Sequence, residues 1–200
     1  LAELCPSAPQ HGPLLEIRSA GQRAAALTAQ LLALSRKTLV KPTVVDLNAA
    51  LQTLSQLLGR LLGEKIALTT SLQPGLARIK IDPGLLDQVI MNLALNARDA
   101  MPQGGQLRIE TQDLTLRTKD ALSYPDCRPG PYVRLVVADT GCGMTDEVKA
   151  KLFEPFFTTK EQGKGTGLGL ATVYGIIKQA GGQLGVSSQM DCGTCFTLLF

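Results

Sequence analysis

At 200 residues, with 44% hydrophobic and 18% charged side chains, the chain has the size and make-up of one packed globular domain with room for an appendage, which excludes a disordered tail. Twenty basic residues against 17 acidic ones leave a net charge of +3, too even a balance to argue for a nucleic-acid or membrane surface. No stretch reaches the roughly 18 uninterrupted apolar residues of a spanning helix, and the opening "LAELCPSAPQHGP" lacks the basic start and apolar middle of a secretory signal. A soluble chain that does not itself enter a membrane is expected.

From Pro13 to about Lys37, Leu14, Ile17, Ala24, Leu27, Leu31 and Leu34 recur at three and four with one longer gap. This predicts a long amphipathic helix, and its place outside the later α/β pattern suits a partner helix better than the main core. "SRKTLVKPTVVDL" breaks it at Pro42. A second helix is predicted near Asp46 to Leu62 with Asp46 as N-cap, then β-like "KIALTTSL" and "ARIKID" separated by the turn "QPG". "DPGLLDQVIMNLALNARDAM" reads as a third helix, with Asp82 as cap and Pro83 in its first position. Strands "QLRIETQDLTLR" and "YVRLVVADT" flank a Pro-rich polar loop at 119 to 131. A Gly-rich segment, a helix from about Gly167 to Ala180, and strands "GQLGVSSQ" and "GTCFTLLF" close the chain, with no internal repeat. The class is α/β, a largely antiparallel or mixed sheet covered by helices on one face, because the links between consecutive strands are too short for crossovers.

On the third helix Leu86, Ile90, Leu93 and Ala97 make one buried stripe, while Gln88, Asn92, Asn96 and Asp99 make another that points elsewhere. Asn costs up to roughly 0.7 kcal/mol against Ala in mid-helix, so two of them one turn apart do not help folding. Taken alone this is a solvated face; alternatively, the amide oxygens point into a cleft where they can ligate a hard cation such as Mg²⁺.

"VVADTGCGM" is an apolar strand ending in Asp and two glycines. It is either a plain Asp-Thr-Gly turn or a carboxylate that accepts from an exocyclic amine while the glycines admit a flat ring. A single copy argues against the paired-aspartate protease motif. In "GKGTGLGLATVYGIIKQAGG" four alternate glycines run straight into a helix, either as a linker or as a bed of free N–H groups at the positive dipole end, where polyphosphate sits well. The spacing is neither the dinucleotide fingerprint nor the P-loop. Just before it, "LFEPFFTTK" has the form of a hinged lid with an apolar anchor and a phosphate-reaching Lys160.

In this order and spacing, "NLALNARDAM", "DTGCGM", "LFEPFFTTK" and "GKGTGLGLA" resemble the asparagine, first glycine, phenylalanine and second glycine boxes of the sensor histidine kinase ATP-binding domain. That domain has the Bergerat ATP-binding fold of the wider GHKL group, shared with type II topoisomerase ATPases, a heat-shock chaperone and mismatch-repair ATPases. "NARDAMPQGG" resembles the variant of hybrid or PAS-linked bacterial kinases, and "EIRSAGQRAAALTAQLLALSRK" resembles the second helix of the dimerisation and histidine-phosphotransfer hairpin. The expected division is therefore the C-terminal part of that hairpin over 1–41 and the catalytic ATP-binding domain over 42–200.

The resemblance implies a two-layer α/β sandwich, a mixed sheet of about five strands backed by three helices, with ATP and Mg²⁺ as ligands. Asp139 would bind the adenine amino group, Gly141 and Gly143 would shape the pocket, and Thr194 would stand near its floor. Asn96 would ligate Mg²⁺, and Asn92 would contact phosphate or the water shell of the metal. Lys160 and the backbone of Gly165, Thr166, Gly167, Leu168 and Gly169 would enclose the triphosphate under a lid from about Thr158 to Thr166, with Arg98 as a further phosphate contact. The implied partners are a response-regulator receiver domain and a second copy joined through the hairpin, and the implied location is the cytoplasm, free or as part of a membrane-anchored sensor. No residue of the chain is assigned as catalytic, since positioning and charge neutralisation carry such a reaction.

Two positions depart from the family pattern. Water-hydrolysing relatives carry Glu where this chain has Asn92, and Asn takes no proton at neutral pH, which favours phosphoryl transfer over hydrolysis. Many kinases carry Lys where this chain has Asp99, whose charge would repel bare phosphate; orienting a water or pairing with a base edge is expected of it instead. The only histidine, His11, sits in the loop "APQHGP" between prolines, so the phospho-acceptor helix is expected upstream of this stretch, and the chain alone is not expected to phosphorylate itself. A non-catalytic nucleotide-sensing module and an ATP-hydrolysing relative are the alternatives. Five scattered cysteines make an odd number and suggest reduced thiols, and Cys192-Gly-Thr-Cys195 lacks two further ligands at zinc spacing.

Overall fold

The computed structural model describes residues 41–117, 127–160 and 165–200. The helix expected over 13–37, His11, the greater part of the 119–131 loop and positions 161–164 of the expected lid lie outside the described residues.

A short strand β1 (Thr43–Val45) leads into helix α1 (Leu47–Leu62), whose first turn is closed by the Asp46 carboxylate accepting the Ala49 N–H at 3.0 Å. Leu47, Leu51, Leu54, Leu58 and Leu62 recur every three or four residues and are all buried, each burial stabilising the fold by about 1.5–3 kcal/mol. Strands β2 (Ile66–Leu72) and β3 (Ile79–Ile81) follow, then helix α2 (Pro83–Ala100). Asp82 caps α2 by accepting the N–H groups of Gly84 at 2.9 Å and Leu85 at 3.3 Å, and Pro83 occupies a first-turn position that needs no donor. Leu86, Val89, Ile90, Leu93, Ala94 and Ala97 form its buried face.

The long hairpin partners β4 (Gly105–Leu116) and β5 (Gly130–Asp139) come next, then a six-residue helix α3 (Asp146–Lys151), helix α4 (Gly169–Gln179) and the hairpin β6 (Gln183–Gln189) and β7 (Gly193–Leu199). Five strands form one sheet in the order β2-β4-β5-β7-β6, while β1 and β3 pair in a separate two-stranded sheet. The five-stranded sheet is mixed: β2 runs parallel to β4, and the other neighbours are antiparallel. The fold is thus the expected α/β sandwich, but the parallel pair shows that one link is a crossover. β3 leaves the sheet to pair with β1, so the chain returns to it only after α2, long enough for β4 to lie parallel to β2.

Strand alternation sets the two faces. Thr111, Leu135, Leu198 and Leu184 form one cross-strand row facing the helices, and Ile109, Val137, Phe196 and Val186 form the next. Both rows belong to the core or pack against it, apart from the buried hydroxyl of Thr111, which donates to Asn48 Oδ1 at 2.7 Å. The third row is Leu107, Asp139, Thr194 and Ser188, where the apolar face turns polar.

Candidate functional site

That third row is the first part of the site. Asp139 ends β5 and is only 9% exposed, beside buried Thr194. Its Oδ1 accepts the Gly141 N–H at 2.8 Å and the Thr194 N–H at 3.3 Å, which leaves Oδ2 for a further donor. Burial pushes this carboxyl above the ordinary aspartate range, and the two backbone N–H groups pull back only part of the rise. Ser188 Oγ, 3.0 Å from Thr194 Oγ1 and 2.9 Å from the Gly193 carbonyl, fixes the threonine hydroxyl from the neighbouring strand.

The glycines beside Asp139 are there for space. A Cβ on Gly141 would stand 2.7 Å from both the Cβ and the carbonyl oxygen of Ala100, and the Cys142 N–H bonds that same carbonyl at 3.1 Å. A Cβ on Gly143, whose φ is 67°, would lie 1.9 Å from the Gln189 carbonyl oxygen. The turn after β5 is therefore clamped between the end of α2 and the β6–β7 turn.

The second part is the outer half of α2 against the start of α4. Asn92 and Asn96 are both partly buried, and the Asn92 amide donates to the Gly169 carbonyl at 3.4 Å. A Cβ placed on Gly169 would come within 3.7 Å of Asn96 Nδ2 and 3.9 Å of Asn92 Oδ1. The two asparagines therefore do face the glycine-led helix start rather than bulk water. Before α4, Gly167 adopts φ 66° and its carbonyl accepts the Phe156 N–H at 2.9 Å, while Thr166 Oγ1 accepts the Leu168 N–H at 3.4 Å. Leu168 is buried and anchors the run. Phe156, by contrast, is 67% exposed at a positive φ, so it is not the apolar anchor of this segment. The ring packed inward is Phe153, stacked on Tyr174 at 5.0 Å.

The third part joins these. Lys160 Nζ lies 2.6 Å from Asp99 Oδ2, and the Arg98 guanidinium donates to Asp99 Oδ1 through Nη2 at 2.8 Å and Nε at 3.1 Å. Partial burial works to raise the Asp99 carboxyl, but the bonds and charges of Lys160 and Arg98 outweigh it and hold the group below the ordinary range. Each oxygen of Asp99 is thus already taken by a cation. A Cβ on Gly165 would meet Thr158 Oγ1 at 2.6 Å and Lys160 Cδ at 3.1 Å, so the glycine run lies along the Lys160 stem.

Three contributors were not apparent from the sequence: Ala100 and Ser188, whose roles depend on strand and helix neighbours, and Gly193, where a Cβ would come 2.0 Å from the Asp139 carbonyl oxygen. An open depression of about 470 Å³ also borders this end of the sheet. Its lining residues Arg108, Ala138, Cys195 and Ser187 pair across the strands on the face opposite the Asp139 side chain, so it is not the cleft described above.

A family model described as histidine kinase-, DNA gyrase B-, and HSP90-like ATPase matches residues 81–200, and the chain belongs to that family. Within it the chain is of the sensor histidine kinase type. The sensor kinase CckA of Brucella abortus is 46% identical over 192 residues, covering 96% of this chain and 20% of that protein. The sensor histidine kinase ZraS of Escherichia coli K12 is 36% identical over 166 residues, covering 80% of this chain and 32% of that protein. The solved structure of full-length ShkA in complex with AMPPNP matches 100% of this chain and 40% of that one with a TM-score of 0.74 and 25% identity. The chain spans about a fifth to a third of the length of these curated relatives. Among the described residues no helix is long and apolar enough to cross a membrane.

Proposed function

We propose that the chain is the ATP-binding catalytic core of a cytoplasmic sensor histidine kinase, with residues 1–41 forming part of the dimerisation and phosphotransfer hairpin and 42–200 the nucleotide domain. The observation that carries this reading is Asp139: a buried carboxylate whose Oδ1 accepts two backbone N–H groups, leaving Oδ2 for the donor of a ligand. Oδ2 accepts the adenine amino group, Gly141 and Gly143 shape the pocket by letting the turn after β5 pack tightly on Ala100 and Gln189, and Thr194 lies beneath the ring. That ShkA was solved with AMPPNP, an ATP analogue, supports the same ligand class for this chain.

The remaining residues suit a polyphosphate and its cation. The glycines from Gly165 to Gly169 run into the N-terminus of α4, where free N–H groups and the dipole favour anions. The neutral amides of Asn96 and Asn92 stand beside Gly169, and an amide oxygen is a suitable hard ligand for Mg²⁺, with Asn96 as the ligand and Asn92 on phosphate or the metal's waters. Bound Mg²⁺ would neutralise phosphate charge and fix the leaving group. Lys160, Thr166 and Leu168 line the same stretch, and Arg98 flanks it. Asn92 offers no base toward water, so the groups present position the γ-phosphoryl for attack by an imidazole nitrogen; the γ-phosphorus to bridging-oxygen bond breaks and ADP leaves. A response-regulator aspartate is the onward acceptor, and a second copy of the chain pairs through the hairpin.

The test is Asp139→Asn. The amide oxygen keeps both backbone bonds, but its NH₂ group meets the adenine amine donor to donor. An unmet buried hydrogen bond costs about 2–3 kcal/mol, so ATP affinity measured by displacement of a fluorescent analogue should fall roughly 30- to 150-fold. Unchanged affinity in a folded variant rules out the assignment.

A further inference from the structure

Asp99 is the charged residue of the cleft that the nucleotide reading leaves without a task. It follows Asn96 by three positions on α2, and so lies one turn along the same face as the amides beside Gly169. A bare carboxylate there repels polyphosphate. This one is not bare: Lys160 holds Oδ2 at 2.6 Å and Arg98 holds Oδ1 at 2.8 Å. Lys160 reaches Asp99 across 61 residues of sequence, from the segment whose Thr158 and Lys160 side chains lie against Gly165.

We propose that Asp99 is a positioning residue that serves as the resting counter-ion of Lys160, so that a bound polyphosphate must draw the ammonium from carboxylate to phosphate. Asp99 thereby holds down the affinity for phosphate-bearing nucleotides while leaving the nucleoside part untouched. The consequence is selective: the transfer of Lys160 occurs only when the ligand carries enough negative charge at the glycine run to compete with a carboxylate already in contact. The ion pair is about one third exposed, 35% for Lys160 and 29% for Asp99, so the competition is modest in size rather than prohibitive. This inference rests on the nucleotide reading above, with Lys160 on the phosphates.

The experiment is a double-mutant cycle on the whole 200-residue chain, Asp99→Asn, Lys160→Met and the pair together, with dissociation constants for ATP, ADP and adenosine in the presence of Mg²⁺. Asp99→Asn should tighten ATP binding about 3- to 5-fold, the range of a partly exposed ion pair, and leave adenosine binding unchanged. Lys160→Met should weaken ATP binding, and Asp99→Asn should gain clearly less in the Lys160→Met background than in the parent, because without the ammonium the carboxylate has nothing to withhold and only the repulsion left by its Arg98-paired charge is removed. An equal gain from Asp99→Asn in both backgrounds means simple repulsion and overturns the proposal. Weaker or unchanged ATP binding by Asp99→Asn overturns it as well. If the unsubstituted chain binds neither ATP nor adenosine, the nucleotide reading falls and the inference falls with it; if it binds both and Asp99 has no effect, only the inference falls.

Discussion

Asp139 and Asp99 each stand at or near the end of a regular element, one on the last residue of β5 and the other in the last turn of α2, yet their surroundings differ in kind. Asp139 is buried, held by two backbone N–H groups, and enclosed by glycines that would clash with fixed main chain if they carried a Cβ. Asp99 is partly open to water and held only by two long cationic side chains. Under the proposed function, the end assigned to the nucleoside is therefore built from backbone, and the end assigned to the phosphates from side chains that can exchange partners. A site arranged in this way fixes the invariant part of a ligand and leaves the charged part adjustable.

The largest effect that separates the two ends comes from one substitution made at each. Gly143→Ala places a Cβ at a position 1.9 Å from the Gln189 carbonyl oxygen and forces an L-residue into φ 67°. The backbone conformation alone costs about 1–2 kcal/mol, and the clash with main chain adds to it. A total of about 3 kcal/mol would lower the melting temperature by roughly 6–12 °C for a domain of this size. At Gly165 the same change meets the Thr158 hydroxyl and the Lys160 stem, side-chain atoms that can turn aside, at no unfavourable φ. Gly165→Ala should cost less than about 1 kcal/mol. Equal melting temperatures for the two variants would remove the distinction between a rigid and an adjustable end.

A smaller effect tests where the metal belongs. Asn96→Ala removes a neutral oxygen from the phosphate end and touches nothing at Asp139. ATP affinity should lose about tenfold in the presence of Mg²⁺, while the affinity without metal and the affinity for adenosine stay as they are. A loss that is the same with and without Mg²⁺ would place the metal elsewhere.

At the rigid end Asp139 and its two glycines were legible in the sequence, while Ala100, Ser188 and Gly193, which hold them, were not. An Asp that ends an apolar strand and is followed by Thr-Gly-x-Gly reads either as a plain turn or as a ligand carboxylate, and the β5 register delivers Asp139 to the inner face as alternation predicts. α2 was equally readable, since its cap, its first-turn proline and its apolar stripe agree. Two features resisted for physical reasons. β2 and β3, joined by the loop 73–78 that contains "QPG", pair with different partners, and local turn chemistry does not say which strand a neighbour will choose. Asp99 was harder still, because its ion-pair partner Lys160 is 61 positions away and no spacing rule links them. Phe156 shows the same limit: of the two adjacent aromatics in the expected apolar anchor, Phe156 faces outward and Phe157 is partly buried, while Phe153 is the one that packs against the core.

The smallest effect is the dependence of stability on pH, and there the two aspartates should act with opposite sign. Because burial raises Asp139 above its unfolded value, the folded chain keeps a proton there at pH values where the unfolded chain has released it. Stability therefore declines as pH climbs from the ordinary aspartate range through the raised value, and stays lowered above it. For Asp99, the Lys160 and Arg98 bonds and charges outweigh the burial that would raise it, so its contribution is complete above the ordinary aspartate value and lost as pH falls through the depressed folded value. Asp139→Asn removes the first dependence. Its unfolding free energy, measured by denaturant titration at several pH values, should exceed that of the unsubstituted chain above the window and converge with it below. Asp99→Asn should do the reverse, losing stability at neutral pH and matching the parent only in strong acid. Parallel curves for the Asp139 variant and its parent would mean that the buried carboxylate carries no desolvation cost. The case for Oδ2 as a group kept ready for a ligand's donor, at the expense of stability, would then be gone.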